Sequence, residues 1–298
     1  MIVDQPRRIV NGSVGTGDFV SWDGGCLFIS RRAVGIVPLH AHYATQIAFG
    51  SEHGLRFRPS DADPWTSYDG VVIASRQPHS MDSTRVPYCA VLFVEPETRE
   101  GRALHELFGD TGITALPAET LAKVRPVLFS AWHEQRSAAA VIAAARAVVR
   151  ELTGGIEPVI ATDERILRAT SHIRTHLDAD LTLEDVAGIA YLSPSRFRHL
   201  FVSETGMALR PYILWRRFLR VWELLAGGTS LSAAAHAAGF ADAAHLTRTS
   251  RRMFGFPPSA LQFGGPLRRQ GASAGPPSGA PPASRDARDA GAHARTKG

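Results

Sequence analysis

Cysteine is scarce in this chain: Cys26 and Cys89 are the two among 298 residues. Two thiols build no disulfide framework, so a small stapled fold is excluded and two buried thiols in a reducing cytoplasm are expected. Long apolar runs are missing as well. The richest, "AAAVIAAARAVV" near residue 140, is too short to cross a bilayer and contains Arg146. The opening "MIVDQPRRIVNGSVG" holds no apolar core of a signal peptide, so no secretory signal and no membrane partner are expected. No Ser-His-Asp or Cys-His arrangement is legible in the spacing. "GSVGTG" at 12–17 follows no clear strand and is not read as a phosphate loop.

Acidic residues are thin in one region. Residues 190–269 carry 11 arginines against Glu204, Glu223 and Asp242, a balance of +8, whereas residues 1–162 hold 15 Lys+Arg against 17 Asp+Glu. A basic block on one module is the footprint of a polyanion partner, because each neutralised phosphate releases condensed counterions. A solvated surface shows the same block, so the pattern the arginines sit in decides.

The length suits about two domains, and a hydrophobic fraction of 44% suits buried cores. From about 18 to 96 the chain reads as short β-runs broken by turns: "CLFISRRAVGIV", "TQIAF", "GLRFRP", "GVVIAS" and "YCAVLFVEP". Residues 98–109 and 117–152 have helical composition, and "TGG" at 153–155 with Pro158 punctuates a linker. Everything from Thr162 to about Leu261 reads as helix. The Pro/Gly/Ala-rich tail from Gly264 cannot bury enough apolar surface to offset its ordering entropy, and disorder is expected there.

The helical half contains a repeat. "TLEDVAGIAYLSPSRFRHLFVSETG" and "SLSAAAHAAGFADAAHLTRTSRRMFG" each place a polar cap before a short helix, then a tight turn and a second capped helix. Alanines on the inner faces (Ala187, Ala190; Ala235, Ala238) let the paired helices approach closely. Between the copies, Ile213, Trp215, Phe218, Leu219, Trp222 and Leu225 recur at helical spacing and read as core.

This run, about 163 to 263, resembles the DNA-binding domain of the AraC-type transcriptional regulators, most closely in "AAGFADAAHLTRTSRRMFGFPPSAL". Ser250 stands where that family usually packs a Phe, and Tyr191 occupies a turn often held by Gly. The amphipathic pattern turns Phe197, Leu200 and Phe201 inward, leaving Ser195, Arg196, Arg198 and His199 to face DNA. In the second reading helix Leu246 and Ser250 turn inward, leaving Ala243, Ala244, His245, Thr247 and Arg248 outward. An arginine donates two hydrogen bonds to guanine, worth about 1–3 kcal/mol of discrimination, whereas alanines offer methyl contacts, so the first unit is expected to read G-containing sequence more strongly. Arg251 and Arg252 are expected on phosphates.

"PLHAHYATQ" poses a different question. His40, His42 and Gln46 share one parity and would face one side of a single strand; His79 follows later in "GVVIASRQPHSMD". The pattern is similar to the cupin barrel, whose metal sites take His-x-His, a Glu or Gln, and a later His; AraC-type regulators commonly carry such a domain as a sensor. The resemblance implies a small-molecule pocket lined by His40, His42, Gln46 and His79, and these four are also the candidate ligands for a divalent transition metal, Zn, Ni, Cu or Fe. No carboxylate supplies charge, and hydrogen-bonded pocket histidines are the plainer reading. Trp65 and Tyr68 are expected on the barrel surface. His172 and His176 have the spacing of a helical metal pair, but solvent or phosphate contact is expected of them.

The expected fold class is α+β with two domains: an N-terminal cupin-like β-barrel with flanking helices and a C-terminal all-α double helix–turn–helix. The expected boundaries are 1–97 for the sensor, 98–155 for a helical dimerisation or connector segment, 156–263 for the DNA-binding domain and 264–298 for the tail. A non-enzymatic, cytoplasmic regulator follows, with double-stranded DNA, RNA polymerase, a small-molecule effector and a second copy of itself as partners. The rival is a metal-dependent cupin enzyme fused to a DNA-binding module; a third reading has the barrel serving dimerisation alone.

Overall fold

The computed structural model describes residues 15–31, 35–155 and 162–263. The tail from Gly264, most of the linker and the first 14 residues of the expected sensor lie outside the described residues. Short runs of β-branched and aromatic residues closed by turn formers give β1 (Gly15–Trp22), β2 (Gly25–Arg31), β3 (Ile36–His40), β4 (Thr45–Gly50), β5 (Leu55–Arg58), β6 (Thr66–Tyr68), β7 (Gly70–Ile73), β8 (His79–Asp82) and β9 (Tyr88–Val94). With β10 (Ile113–Ala115) and β11 (Leu261–Phe263) they divide into two sheets, ordered β10-β7-β4-β9-β2-β1-β11 and β3-β8-β5-β6. The sheets pack on each other through Ala48, Val71, Ile73 and Cys89 from the larger and Val37, Leu55, Phe57 and Met81 from the smaller. The cupin-like barrel is therefore an open pair of sheets, not a closed ring.

β4 is buried along its whole length, because its second face is covered too. Ile47 and Phe49 meet helices α1 (Arg99–Phe108), α2 (Ala118–Ser130) and α3 (Ala138–Thr153), and the π-helical turn Ala131–Gln135 that joins the last two, through Leu104, Leu121, Leu128, Trp132, Val141 and Val148. The apolar faces of the helices between 98 and 153 thus cover the barrel. Val127, half exposed at 52%, stays outside.

The remaining helices are α4 (Glu164–Thr175), α5 (Leu183–Ile189), α6 (Pro194–Thr205), α7 (Leu209–Ala226), α8 (Leu231–Ala237) and α9 (Ala243–Phe254). Their starts are chemically marked: Thr182 and Asp185 form a reciprocal capping box on α5, and Ser193, Ser230 and Asp242 accept backbone N–H bonds at α6, α8 and α9. Each such cap stabilises a helix by about 1 kcal/mol.

Two expectations are corrected. The chain after α9 is not helical to Leu261: a 3₁₀ turn at Pro258–Ala260 leads into β11, which pairs in parallel with β1, Gly15 opposite Leu261 and Gly17 opposite Phe263. Three residues are too few to show a period, and this strand exists because β1 offers an unpaired edge. Second, His40, His42 and Gln46 do not share a strand. His40 ends β3 in the smaller sheet, His42 lies in the crossing segment and Gln46 sits in β4 of the larger sheet. The crossing turns the side chains back toward one another.

The two halves share one core. Phe19, Cys26, Tyr43 and Phe93 of the sheet pack with Tyr212, Trp215 and Trp222 of α7 and Phe254 of α9. Phe28 meets Trp222 edge-on at 4.5 Å between ring centroids, a favourable aromatic geometry.

Candidate nucleic-acid interface and sensor cleft

The second helix of each unit presents a polar face. In α6, Phe197 and Phe201 are buried with ring centroids 5.1 Å apart, while Ser195, Arg196, Arg198 and His199 are exposed. In α9, Leu246 and Ser250 are buried and Ala244, Arg248, Arg251 and Arg252 are exposed. Ala243, His245 and Thr247 are half-buried. The His245 ring lies 5.5 Å from Phe240, and the Thr247 hydroxyl donates to the Ala243 carbonyl at 2.7 Å. The departures from the family pattern have local explanations. Ser250 donates to the Phe256 carbonyl at 2.7 Å and so ties α9 to the turn that follows it. Tyr191 adopts a left-handed φ of 54° with its ring 84% exposed, and the Arg168 guanidinium lies 5.4 Å over that ring. α7 joins the units through a buried stripe of Tyr212, Trp215, Phe218 and Trp222. The candidate metal pair His172 and His176 is instead a stacked pair, 4.0 Å between centroids, with His176 Nδ1 against the His172 carbonyl.

His40, His42 and His79 converge: each offers a ring nitrogen, and these lie within 4.8 Å of one another. Their tautomers are set by the backbone. Nδ1 of His40, His42 and His79 contacts the carbonyls of Pro38 (2.8 Å), Ala44 (2.9 Å) and Gln77 (2.9 Å). A carbonyl only accepts, so each Nδ1 carries the proton and Nε2 is a lone pair. His42 Nε2 lies 2.7 Å from the Gln46 amide, which must therefore present its NH₂ group there. His79 Nε2 is buried with no hydrogen-bond partner among the described residues. Burial lowers the basicity of all three rings, that of His42 to about 3, with His40 adding to the effect on the other two.

His40, Gln46 and His79 line a cleft between the halves, whereas His42 is buried and does not line it. Its wall on the sheet side includes Phe28, Val37, His40, Gln46, His79 and Phe93; its other wall includes Trp222, Phe254 and Phe256. The free space is narrow, about 80 Å³. Trp222 Nε1 is a buried donor with no partner among the described residues. Each wall of the cleft thus includes a residue with an unpartnered buried nitrogen, His79 on one and Trp222 on the other. Trp65 and Tyr68 do not line it: Arg58 covers Trp65 at 4.7 Å, and Tyr68 packs on Phe57 at 6.0 Å.

Sequence reasoning missed a second constellation beside the cleft. Glu95 and Glu97, just past β9, are buried in the seam. Tyr43 and Tyr212 donate to Glu97 at 2.5 and 2.8 Å; Trp215 donates to Glu95 at 3.2 Å, and Arg216 pairs with the same Glu95 oxygen. "FVEPE" reads as a strand running into a polar turn, where carboxylates normally face water. Their burial depends on partners far along the chain, Tyr43 before β4 and Tyr212, Trp215 and Arg216 on α7.

With the geometry in place, comparison with known proteins is informative. Residues 186–262 match the family model described as a helix-turn-helix domain. Regulatory protein PocR of Salmonella typhimurium is 31% identical over 101 residues, 34% of this chain; the match spans only 33% of PocR, about a third of that relative's length. Among solved structures, ToxT of Vibrio cholerae O395 superposes with a TM-score of 0.53 at 11% identity, covering 81% of this chain and 96% of ToxT. ToxT of strain SCE256, solved with an unsaturated fatty acid bound, gives 0.51 at 13% identity over 81% of this chain and 94% of that one. At those identities the likeness is one of fold, and it spans both halves of the molecule.

Proposed function

We propose that this chain, which carries an AraC-type helix–turn–helix domain on a two-domain fold like that of ToxT, is a sequence-specific DNA-binding transcription regulator controlled by a small molecule. The observation that carries the reading is the pair of capped helices, α6 and α9, whose polar faces stay exposed while α7 fixes their separation. Two such helices suit adjacent turns of one duplex face, about 34 Å apart. Ser195, Arg196, Arg198 and His199 read the first half-site; Ala243, Ala244, His245, Thr247 and Arg248 read the second, with Arg251 and Arg252 on phosphates. Footprinting on a duplex selected from a random pool tests this. Two protected stretches one helical turn apart are expected, with affinity falling steeply as salt rises. Protection that ignores sequence contradicts it.

The effector site is the cleft. Its apolar walls call for an apolar body, and its two orphan groups call for a head that both donates, to His79 Nε2, and accepts, from Trp222 Nε1. A carboxylic acid taken up with its proton, or an alcohol, meets both requirements. ToxT has been solved with an unsaturated fatty acid, which is this class of molecule. Because the walls belong to different halves, a bound molecule acts on their relative position; an occupant larger than the present free space must part Phe254 and Phe256 from the sheet. RNA polymerase and a second copy of the chain are partners this role calls for, and the cytoplasm is its setting.

The same three imidazoles support a second reading of the cleft's end. Three lone pairs, each ring oriented by an Nδ1–H bond to backbone, form the donor set that Zn, Ni, Cu or Fe accepts, with Gln46 as a fourth, neutral ligand. A metal there would supply a Lewis-acidic anchor for the head of the effector. Metal content of untagged protein, beside His40→Ala/His42→Ala, tests it: near-stoichiometric metal lost in the variant is expected, and none after loading with each ion overturns it. Turnover of candidate substrates with Fe(II) would favour the enzyme reading instead.

A further inference from the structure

We propose that Glu95 and Glu97 form a proton-dependent latch that holds the DNA-binding half against the sensor, closed when the pair keeps one proton and loosened when that proton leaves. The latch goes beyond the reading of the chain as a DNA-binding regulator and does not depend on it.

Two carboxylates are buried in the seam, both within 1% of full burial, and among the described residues one cation pairs with them, the Arg216 guanidinium on Glu95. Glu97 receives two phenol hydrogen bonds, from Tyr43 and from Tyr212 on α7, and pairs with no cation among the described residues. Glu95 keeps one oxygen, Oε2, with no partner among the described residues. Ionised together, the two acids leave one uncompensated negative charge in an aromatic seam walled by Tyr43, Tyr212, Trp215 and Phe93. The seam is neutral only when one of them holds a proton. Because Arg216 already pairs with Glu95, the proton that keeps the seam neutral sits on Glu97.

The groups facing the pair come from every packed element. On the sensor side are the Tyr43 phenol and the Cys26 thiol of β2, whose titration burial and the charge of Glu95 push well upward. On α7 are Tyr212, Trp215 and Arg216. Beyond the Glu97 backbone, Thr162 donates to its carbonyl at 2.7 Å and is bonded in turn by Arg102, which pairs with Glu204 at the end of α6. Arg102 and Glu204 cancel, and the two phenols and the thiol stay neutral through the physiological range. Glu97 is therefore the group whose titration the seam controls. Burial, and then the negative charge of Glu95, raise the Glu97 carboxyl to about 7 against an ordinary 4.5.

The sign follows. The docked state binds the extra proton and the undocked, hydrated state does not, so docking is strengthened below an ordinary carboxyl's titration and weakened as pH rises through about 7. What opens is the seam that carries β11, the cleft and the C-terminal ends of both reading helices. Arg76 donates to the Gly206 carbonyl that closes α6, and Gly255 closing α9 lies against Pro38. A latch at this place changes how the reading helices are held.

The test is resonance energy transfer in the full chain between dyes on Asp61→Cys in the sensor and Ala233→Cys on α8. Labelling is done at pH 6.5, where the seam is closed and Cys26 and Cys89 are buried. Transfer is expected to fall as pH rises from 6.5 to 8.5, with a midpoint near neutrality. Glu97→Gln keeps a neutral isostere in place, and transfer should stay high across the range. Tyr212→Phe removes a bond that favours the ionised carboxyl, so its midpoint should move to higher pH, a shift that a purely packing role would not produce. Transfer that is flat in the wild-type chain overturns the proposal. So does the same pH dependence in the wild type and Glu97→Gln, or a Tyr212→Phe midpoint that stays put or moves down.

Discussion

Phe254 closes the seam from the DNA-binding side, and removing its ring is a quantitative test of how the halves are held. The side chain is 2% exposed. It lies 4.5 Å from Trp222, 5.4 Å from Phe218 and 5.8 Å from Trp215 between ring centroids, and it also lines the cleft. Truncating a buried Phe to Ala costs about 3–5 kcal/mol, the transfer term plus the cavity left behind. Here one side of the ring already borders open space, so fewer contacts are lost than in a sealed core, and the lower end, about 3 kcal/mol, is expected. Urea unfolding followed by tryptophan fluorescence measures it, since Trp215 and Trp222 border the new cavity. Phe256→Ala, at a half-buried ring on the same wall, should cost less. A loss under about 1 kcal/mol for Phe254→Ala would refute the reasoning, because the ring would then not be holding α9 to α7.

Other consequences are simpler to check. Thr182→Ala breaks the capping box on α5 and should lower stability by about 1 kcal/mol in a thermal melt, with no change in DNA sequence preference. Trp222→Phe removes the orphan donor of the cleft while keeping an aromatic wall. It should weaken binding of an apolar carboxylic acid about tenfold by calorimetry, the loss of one hydrogen bond of about 1.4 kcal/mol, and leave ligand-free DNA binding unchanged. His42, depressed from 6.5 to about 3 by burial, rejects a proton when folded and accepts it when unfolded. Stability should therefore fall as pH drops below 6.5, and urea midpoints of His42→Gln should show a shallower acid decline; equal slopes would mean that His42 is not the group responsible.

The two halves differ in how much of them the sequence discloses. The helix–turn–helix units are legible because their information is local: Thr182, Ser193, Ser230 and Asp242 mark helix starts, and Phe197, Phe201 and Leu246 mark buried faces by spacing alone. The barrel strands are legible as runs but not as sheets. Nothing near "LHAHYAT" says that the chain crosses between sheets there, which is why a single-strand reading of His40, His42 and Gln46 fails although the three side chains do come close. β11 and the Glu95–Glu97 seam are silent for the same reason. Each depends on a partner far along the chain: β1 for the strand, and Tyr212, Trp215 and Arg216 for the carboxylates. The buried stripe on α7 reads correctly as core. That the core is shared between the sheets and the helices after α3 is a fact of tertiary structure.

The central claim is that α6 and α9 read DNA sequence from one rigid frame. Binding-site selection from a random duplex pool, run in parallel on the wild type and Arg198→Ala, tests it most directly. The account predicts two half-sites one turn apart, the first richer in G, and an Arg198→Ala variant that loses preference at one base pair of that half-site at a cost of about 1–3 kcal/mol. A wild-type selection informative only in the second half-site, or an Arg198→Ala variant weakened equally on every sequence, would contradict it.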